Sequence, residues 1–571
     1  MTRIFTRCAR HVIAVLALAT AREATAQRVT GPWEDGTIAP RGVLRLGITP
    51  RFEQWNERFA REGTTREPLG ADFTRDSLGP SFFPFITGMT PALATLTGQP
   101  SPPLSLGTLN TRLDVSQVTT QVTLDYGITS RIGVQAMIPY VKNRVYVVPN
   151  INEGGAGATL GFNPGRTNLG ARQQNELVAT SLGTAAATLS SELARCAGIT
   201  DPSCSAINAD RTGATALAQT ASQMSGAVAT VYGTPTTMGS LYAPVVGGAL
   251  QTSIDGRLAT LNSQFTTFLG APPTGEWIGA RPVAGAPMAA ADFEALIGDE
   301  PSGILARPLG DYEHSHVGDI EVGLKLVLLD TFGPLVTSPL PKFGAFRLAA
   351  AGIYRLGTGQ LDLPHDFTDV GTGDRQVDLE LRGYGDLALG SRLWISAIAR
   401  LGIQQSDQLV RRIPDNAGDP FPELVREQSV SRDLGDVLEF EVTPRYLPND
   451  EFSVSAQYRY RSKGADTYEG TFQVSSADGT PLSLNAATLG RGTEQTEHQF
   501  GFAVTYSTVH GYSRRTARWP IELSYLHTQV LSGKGGVPRM VMNGIGLRIY
   551  RPIRGNSLRG VASGGRPGPT R

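Results

Sequence analysis

Over much of this chain, apolar and polar residues alternate one by one. In the run Thr111–Val148, the residues Val118, Val122, Leu124 and Tyr126 fall on one face. Gln117, Thr119, Gln121, Thr123 and Asp125 fall on the other. Beyond a short turn, Ile132, Val134, Ala136, Ile138 and Tyr140 resume the apolar face opposite Arg131 and Gln135. A period of two, repeated across a turn, predicts a β-hairpin. Its strands are too long for an ordinary soluble sheet, where ~5–6 residues is usual. A tilted strand that crosses a bilayer needs ~9–11.

The same pattern recurs at Val43–Glu53, Val317–Leu329, Gly344–Gly357, Gln376–Leu389 and Leu393–Gln404. It continues at Gly435–Leu447, Glu451–Ser462, Thr496–Thr508, Arg518–Leu531 and Arg539–Tyr550. With the opening hairpin, this predicts an all-β fold: a transmembrane antiparallel up-and-down barrel of about 12 strands, range 10–14. Connections alternate in length. Turns at 127–130, 330–343, 390–392, 448–450 and 509–517 alternate with loops at 54–113, 147–316, 358–375, 405–434, 463–495 and 532–538. Outer-membrane barrels pair short periplasmic turns with longer external loops in this way.

One face of these strands is apolar and should meet lipid, because an Arg or Lys facing the bilayer midplane costs ~2–4 kcal/mol. The other face should line the lumen. Its candidates are Arg45, Arg51, Asp125, Arg131, Asp319, Glu321, Lys325, Arg347, Arg355 and Asp378. Glu380, Arg382, Asp386, Arg400, Glu439, Glu441, Arg445, Arg459 and Arg461 complete the set. Mixed signs predict a salt-bridged interior rather than the single-sign ring of an ion-selective pore. Such residues serve equally to hydrate and brace the wall.

Composition sharpens this picture. Mean hydropathy is −0.12, which a helix-oriented scan would read as soluble; alternation in a barrel hides the lipid-facing half from such a scan. The balance of 51 basic and 51 acidic residues argues against nucleic-acid binding. Arg3, Arg7 and Arg10 followed by the apolar Val12–Ala19 and Ala24-Thr25-Ala26 predict an export signal over 1–26. Cys8 would leave with it. Cys196 and Cys204 then remain in an exported chain, where pairing is the expected outcome and two free thiols the alternative.

Segment 147–316 departs from the pattern, with helix-like runs at Asn175–Cys196, Thr212–Val231, Gln251–Leu269 and Ala289–Ile297. A structureless loop of that length is implausible, so a helical insertion is expected within a barrel spanning 27–550. Cap, plug and separate lobe are all open. In the loop 54–113, the cluster Phe82, Phe83, Phe85 offers either a hydrophobic mouth for a solute or a packing anchor. The Gly/Pro/Arg-rich tail 551–571 reads as disordered.

Two stretches resemble a known family. Leu124-Asp125-Tyr126-Gly127-Ile128-Thr129-Ser130-Arg131-Ile132-Gly133-Val134 through Pro139-Tyr140 resembles the signature hairpin of the meta-pathway phenol-degradation family of bacterial outer-membrane proteins. His316-Val317-Gly318-Asp319-Ile320-Glu321-Val322-Gly323-Leu324-Lys325 resembles a strand of the same family. The resemblance implies a barrel distantly like the long-chain fatty-acid channels, admitting small hydrophobic or aromatic solutes. It implies no catalytic residues.

Chemistry is otherwise sparse. His314-Ser315-His316 offers either weak metal ligands or an exposed loop end, and Asp362, Asp366, Asp369 and Asp374 around His365 lack the EF-hand spacing of a calcium loop. There is no G-x-S-x-G elbow. No enzyme activity, cofactor or metal is therefore expected; a hydrolase at the barrel rim is the remote alternative. The expected partners are outer-membrane lipid, a small apolar or aromatic solute and the barrel-assembly machinery, for a monomer in the outer membrane of a two-membrane bacterium. The expected function is passive uptake or efflux of that solute. The alternative is a non-conducting barrel whose insertion serves adhesion or protein assembly.

Overall fold

A computed structural model describes residues 32–153, 157–271, 280–298, 302–332, 343–476, 479, 481–513 and 515–553. The expected signal 1–26 lies outside the described residues, as does the tail from residue 554 onward.

Twelve strands carry the alternating segments. They are β1 (Val43–Trp55), β2 (Leu109–Gly127), β3 (Ile132–Ile151), β4 (Ile320–Asp330), β5 (Phe346–Leu356) and β6 (Asp378–Ala388). The remainder are β7 (Leu393–Gln404), β8 (Val437–Tyr446), β9 (Phe452–Lys463), β10 (Gln495–Ser507), β11 (Ile521–Lys534) and β12 (Val541–Pro552). Each pairs antiparallel with its sequence neighbours, and β1 pairs β12, so the sheet closes. Closure removes the unpaired edge that an open sheet would leave. β12 runs to Pro552, which corrects the expected tail: its first residues belong to the wall.

Alternation decides which way each side chain points. Leu46, Ile48 and Phe52 on β1, Leu379, Leu381 and Leu387 on β6, Phe440 and Val442 on β8, and Phe500, Phe502 and Val504 on β10 all point outward, 38–47% exposed. In water such a continuous apolar belt would drive aggregation; in a bilayer it is matched to its solvent. Among the described residues no helix is long and apolar enough to cross a membrane. This is the architecture of a bacterial outer-membrane barrel.

The register also sets opposite charges side by side on the inner face. Arg45 faces Asp125, Arg347 faces Asp386, Arg355 faces Glu321, Arg400 faces Glu439, and Glu441 faces Arg459. Directly opposed side chains on neighbouring strands are the natural unit of sheet pairing.

Above the wall, β2 and β3 continue as a projecting hairpin. The strand Tyr312–Val317 pairs with the upper part of β3 and leads into β4 after a break at Gly318-Asp319. Between β3 and β4 lie α2 (Leu169–Arg195), α3 (Arg211–Tyr232), α4 (Ala249–Leu269) and α5 (Ala290–Gly298); α1 (Thr90–Thr97) comes from the β1–β2 loop. Asn168 and Asp210 cap the N-termini of α2 and α3 through their side chains. On α3, Ala214, Leu217, Ala221, Met224, Val228 and Val231 are buried at helical spacing. The Tyr232 hydroxyl donates to Gln251 at 2.7 Å, and burial pushes its phenol well above the usual tyrosine value. Cys196 and Cys204 form a disulfide in the link between α2 and α3.

These helices cover the barrel mouth. Their core is continuous with Phe73, Phe83 and Leu93 of the β1–β2 loop and with Phe421 of the β7–β8 loop. The Leu424 amide donates to the Gly303 carbonyl, and Arg412 donates to the Ile304 and Leu305 carbonyls. The hairpin β2–β3 and the β7–β8 loop stand on opposite sides of a twelve-stranded ring, so a core shared between them bridges the opening.

Candidate functional site

The chain leading into β1 turns back into the barrel from the short-turn end. Trp33 packs on Ala503, Leu526 and Met542 of the inner wall. The Glu34 carboxylate accepts from Arg382 at 2.7 Å and from the Tyr384 hydroxyl at 2.9 Å. Asp35 pairs with Arg445 at 3.0 Å and accepts from Thr37. Lys325 donates to the Asp35 carbonyl and sits 3.7 Å from the centre of the Tyr384 ring. The Gly36 amide donates to the Asp386 carboxylate at 3.1 Å. A Cβ at Gly36 would lie 2.8 Å from Asp386 Oδ2 and 3.0 Å from Arg347 Cδ, so a larger residue here would have to push those side chains aside. Residues 33–36 therefore form a plug held by charge and by one aromatic anchor.

Around and above the plug runs a dense ion network. Arg347 bridges Asp330 and Asp386, each at 3.1 Å. Arg355 reaches Glu321 at 3.2 Å and Asp378 at 3.3 Å. Arg382 meets Glu321 at 3.1 Å as well as Glu380. Arg400 pairs with Glu439 and Glu441, and Arg459 reaches Glu497 at 2.6 Å. Arg45 meets Asp125 at 3.0 Å. Burying charge is tolerable when it is paired and hydrogen-bonded; the network supplies the pairing, while Arg400 Nε and Arg459 Nε are buried without a hydrogen bond.

Inside the wall, against the plug, is a cavity of about 480 Å³, within the usual range of small-molecule sites. Acidic and basic side chains line it in equal number, with Met137, Val322, Leu434, Val437, Leu526, Met540 and Met542 between them. The cavity brings together most of the lumen candidates: Arg45, Arg51, Asp125, Glu321, Lys325, Arg355, Asp378, Glu380, Arg382, Arg400, Glu439, Glu441, Arg459 and Arg461.

Several candidates stand elsewhere. Arg131 is exposed in the β2–β3 turn, because that turn lies beyond the wall. Asp319 accepts from the Gly359 and Asp374 amides and so fastens an external loop instead of facing the cavity. Arg347, Asp386 and Arg445 surround the plug below it. Phe82, Phe83 and Phe85 do not form an open mouth. Phe83 is fully buried and stacks on Phe421 with ring centres 6.0 Å apart; Phe82 and Phe85 pack against the same core. Trp33, Glu34 and Asp35 escape pattern reading, since they form no periodic element. Two acids beside a Trp and a Gly, ahead of the first alternating segment, were the only hint.

No family model matches the chain, and no curated protein matches it. The likeness at 124–140 thus stays a likeness of motifs. Among solved structures, an outer-membrane channel from Pseudomonas putida F1 is 8% identical, with a TM-score of 0.39, covering 91% of this chain and 99% of that one. The translocator domain of the autotransporter NalP from Neisseria meningitidis is 6% identical, with a TM-score of 0.29 and coverage of 96% and 95%. The toluene transporter TbuX of Ralstonia pickettii is 9% identical, with a TM-score of 0.23 and coverage of 89% of each chain. Scores this low assign no function; the chain's own geometry must carry it.

Proposed function

We propose that this protein is a monomeric outer-membrane channel through which small hydrophobic or aromatic solutes cross passively, inserted by the barrel-assembly machinery. The observation that carries this reading is the cavity itself. It lies inside a closed, lipid-exposed wall, carries methionine and leucine side chains among its charges, and has the plug residues Trp33, Glu34 and Asp35 in its lining. A plug held by ion pairs can be released where a continuous wall cannot. Passage then requires plug or cap to shift, and the direction of flow follows the solute gradient. The rival reading, a non-conducting platform for adhesion, is less well supported because the helices share one core with barrel loops across the mouth instead of standing free.

Liposomes holding the purified barrel test the proposal. Uptake of a small aromatic solute is expected to be slow for the native chain and faster when Glu34→Gln and Asp35→Asn loosen the plug. The channel reading is wrong if neither the native chain, nor this double variant, nor a form lacking 147–316 admits any solute.

A further inference from the structure

At the short-turn end of the barrel, the turn between β10 and β11 has its own chemistry. Residues 509–520 hold His510, Arg514, Arg515 and Arg518 and no acid. His510 meets Asp450 of the adjoining turn at 3.3 Å, so that carboxylate is already engaged. Arg515 and Arg518 are exposed, and so is Arg551 on β12. Among the described residues these three arginines have no ion pair. The fold gathers them around one aromatic ring. The Arg518 guanidinium lies 5.8 Å from the centre of the Trp519 ring. The Tyr550 amide donates to the Pro520 carbonyl at 3.1 Å, so Arg551 and Trp519 flank one inter-strand bond. The Thr508 hydroxyl fixes Trp519 by donating to its carbonyl. Trp33 and Trp394 are buried, whereas Trp519 is 63% exposed. Leu523 and Ile549, just above it on β11 and β12, belong to the apolar belt. Tryptophan is favoured at that level, with its ring between hydrocarbon and headgroups.

We propose that this foot of the wall, Trp519 with Arg515, Arg518 and Arg551, binds the headgroup of an anionic phospholipid in the periplasmic leaflet. A guanidinium matches a phosphate with paired hydrogen bonds. A zwitterionic headgroup offers the same phosphate but adds an amine, which the arginines repel. The charge continues along the chain: residues 551–571 carry five arginines and no acid, and they leave the wall at this foot. Lipid fits better than a soluble polyanion, because a soluble partner would leave the Trp519 ring at the end of a lipid-facing wall with nothing apolar to meet. The site is independent of conduction and stands or falls apart from the channel reading.

The test uses the full chain in vesicles of phosphatidylethanolamine and phosphatidylglycerol, with one lipid or the other brominated to quench neighbouring tryptophan. The part of the quenching lost on Trp519→Phe reports the lipid at this foot. Phosphatidylglycerol should bind there more tightly than phosphatidylethanolamine. Its relative binding constant should fall about fivefold with either Arg518→Gln or Arg551→Gln, and recover in the Arg518→Lys, Arg551→Lys pair. Heat-modifiable migration on a gel checks that each variant is folded. Equal quenching by the two lipids in the native chain overturns the proposal, whatever the variants do. So does a preference that survives the double glutamine variant, or one that vanishes when residues 553–571 are removed and both arginines remain. A preference abolished by soluble glycerol phosphate assigns a free-phosphate site instead of a lipid site, and overturns it as well.

Discussion

The lower and upper halves of the β2–β3 hairpin obey opposite rules. In the lower half, Val122, Leu124, Val134 and Ile138 point away from the barrel axis, and the polar residues point in. In the upper half the apolar residues change sides: Leu109, Val115, Val141, Val145 and Val147 point inward and are buried. The outward positions there include Arg112, Asp114, Lys142 and Arg144, with Lys142 and Arg144 paired to Glu313, alongside the exposed Tyr146 and Val148 nearer the tip. Backbone and twist are continuous through the change; only the solvent differs. Lipid outside and a charged lumen inside give way to water outside and a helical core inside. The crossover near Ser116 and Lys142 marks the outer edge of the membrane.

Substitutions on the two halves should therefore diverge. The largest effect is expected in the cap, where Phe421 meets Phe73, Phe83, Phe293 and Phe367 with ring centres 5.7–6.0 Å apart. Phe421→Ala should cost about 3–5 kcal/mol of local stability, read as lost hydrogen-exchange protection in the cap while the barrel stays heat-modifiable on a gel. If the barrel loses its folded migration instead, cap and wall are one cooperative unit and the division drawn here fails.

Next comes the lipid face. Val122→Arg should cost ~2–4 kcal/mol, measured by urea unfolding in lipid vesicles. Val148→Arg, on the same outward side but above the crossover, should leave the midpoint unmoved. Equal losses at both positions would shift the membrane edge upward. Removing the disulfide with Cys196→Ser and Cys204→Ser should cost about 2–3 kcal/mol, confined to exchange protection in α2 and α3. Smallest of all, Glu313→Gln breaks only exposed pairs, and no change in unfolding midpoint is expected, as is usual for surface salt bridges.

The twelve strands were legible because a lipid-facing wall forces a period of two on every segment, and each expected strand overlaps an observed one. The pairing of Cys196 with Cys204 was legible from their spacing and from the expected export. The plug was not, since residues 33–36 make their contacts with strands hundreds of positions away and have no repeat to betray them. Phe82, Phe83 and Phe85 offered a mouth or a packing anchor; Phe83 is buried with Phe82 and Phe85 half-buried against the same core, and an apolar cluster in a loop does not say what covers it. Arg131 had the right parity for the lumen and the wrong height. Parity gives a direction; only the strand's position along the axis says what lies there.

The plug has a consequence for how the molecule is put together. The segment inside the barrel is the stretch of chain immediately before β1, and β1 is one side of the seam with β12. Arg382 on β6, Arg445 on β8 and Lys325 on β4 hold the residues just ahead of β1. The contacts that fill the lumen therefore also tie the leading side of the seam to strands across the ring, a brace that no pairing within the sheet supplies.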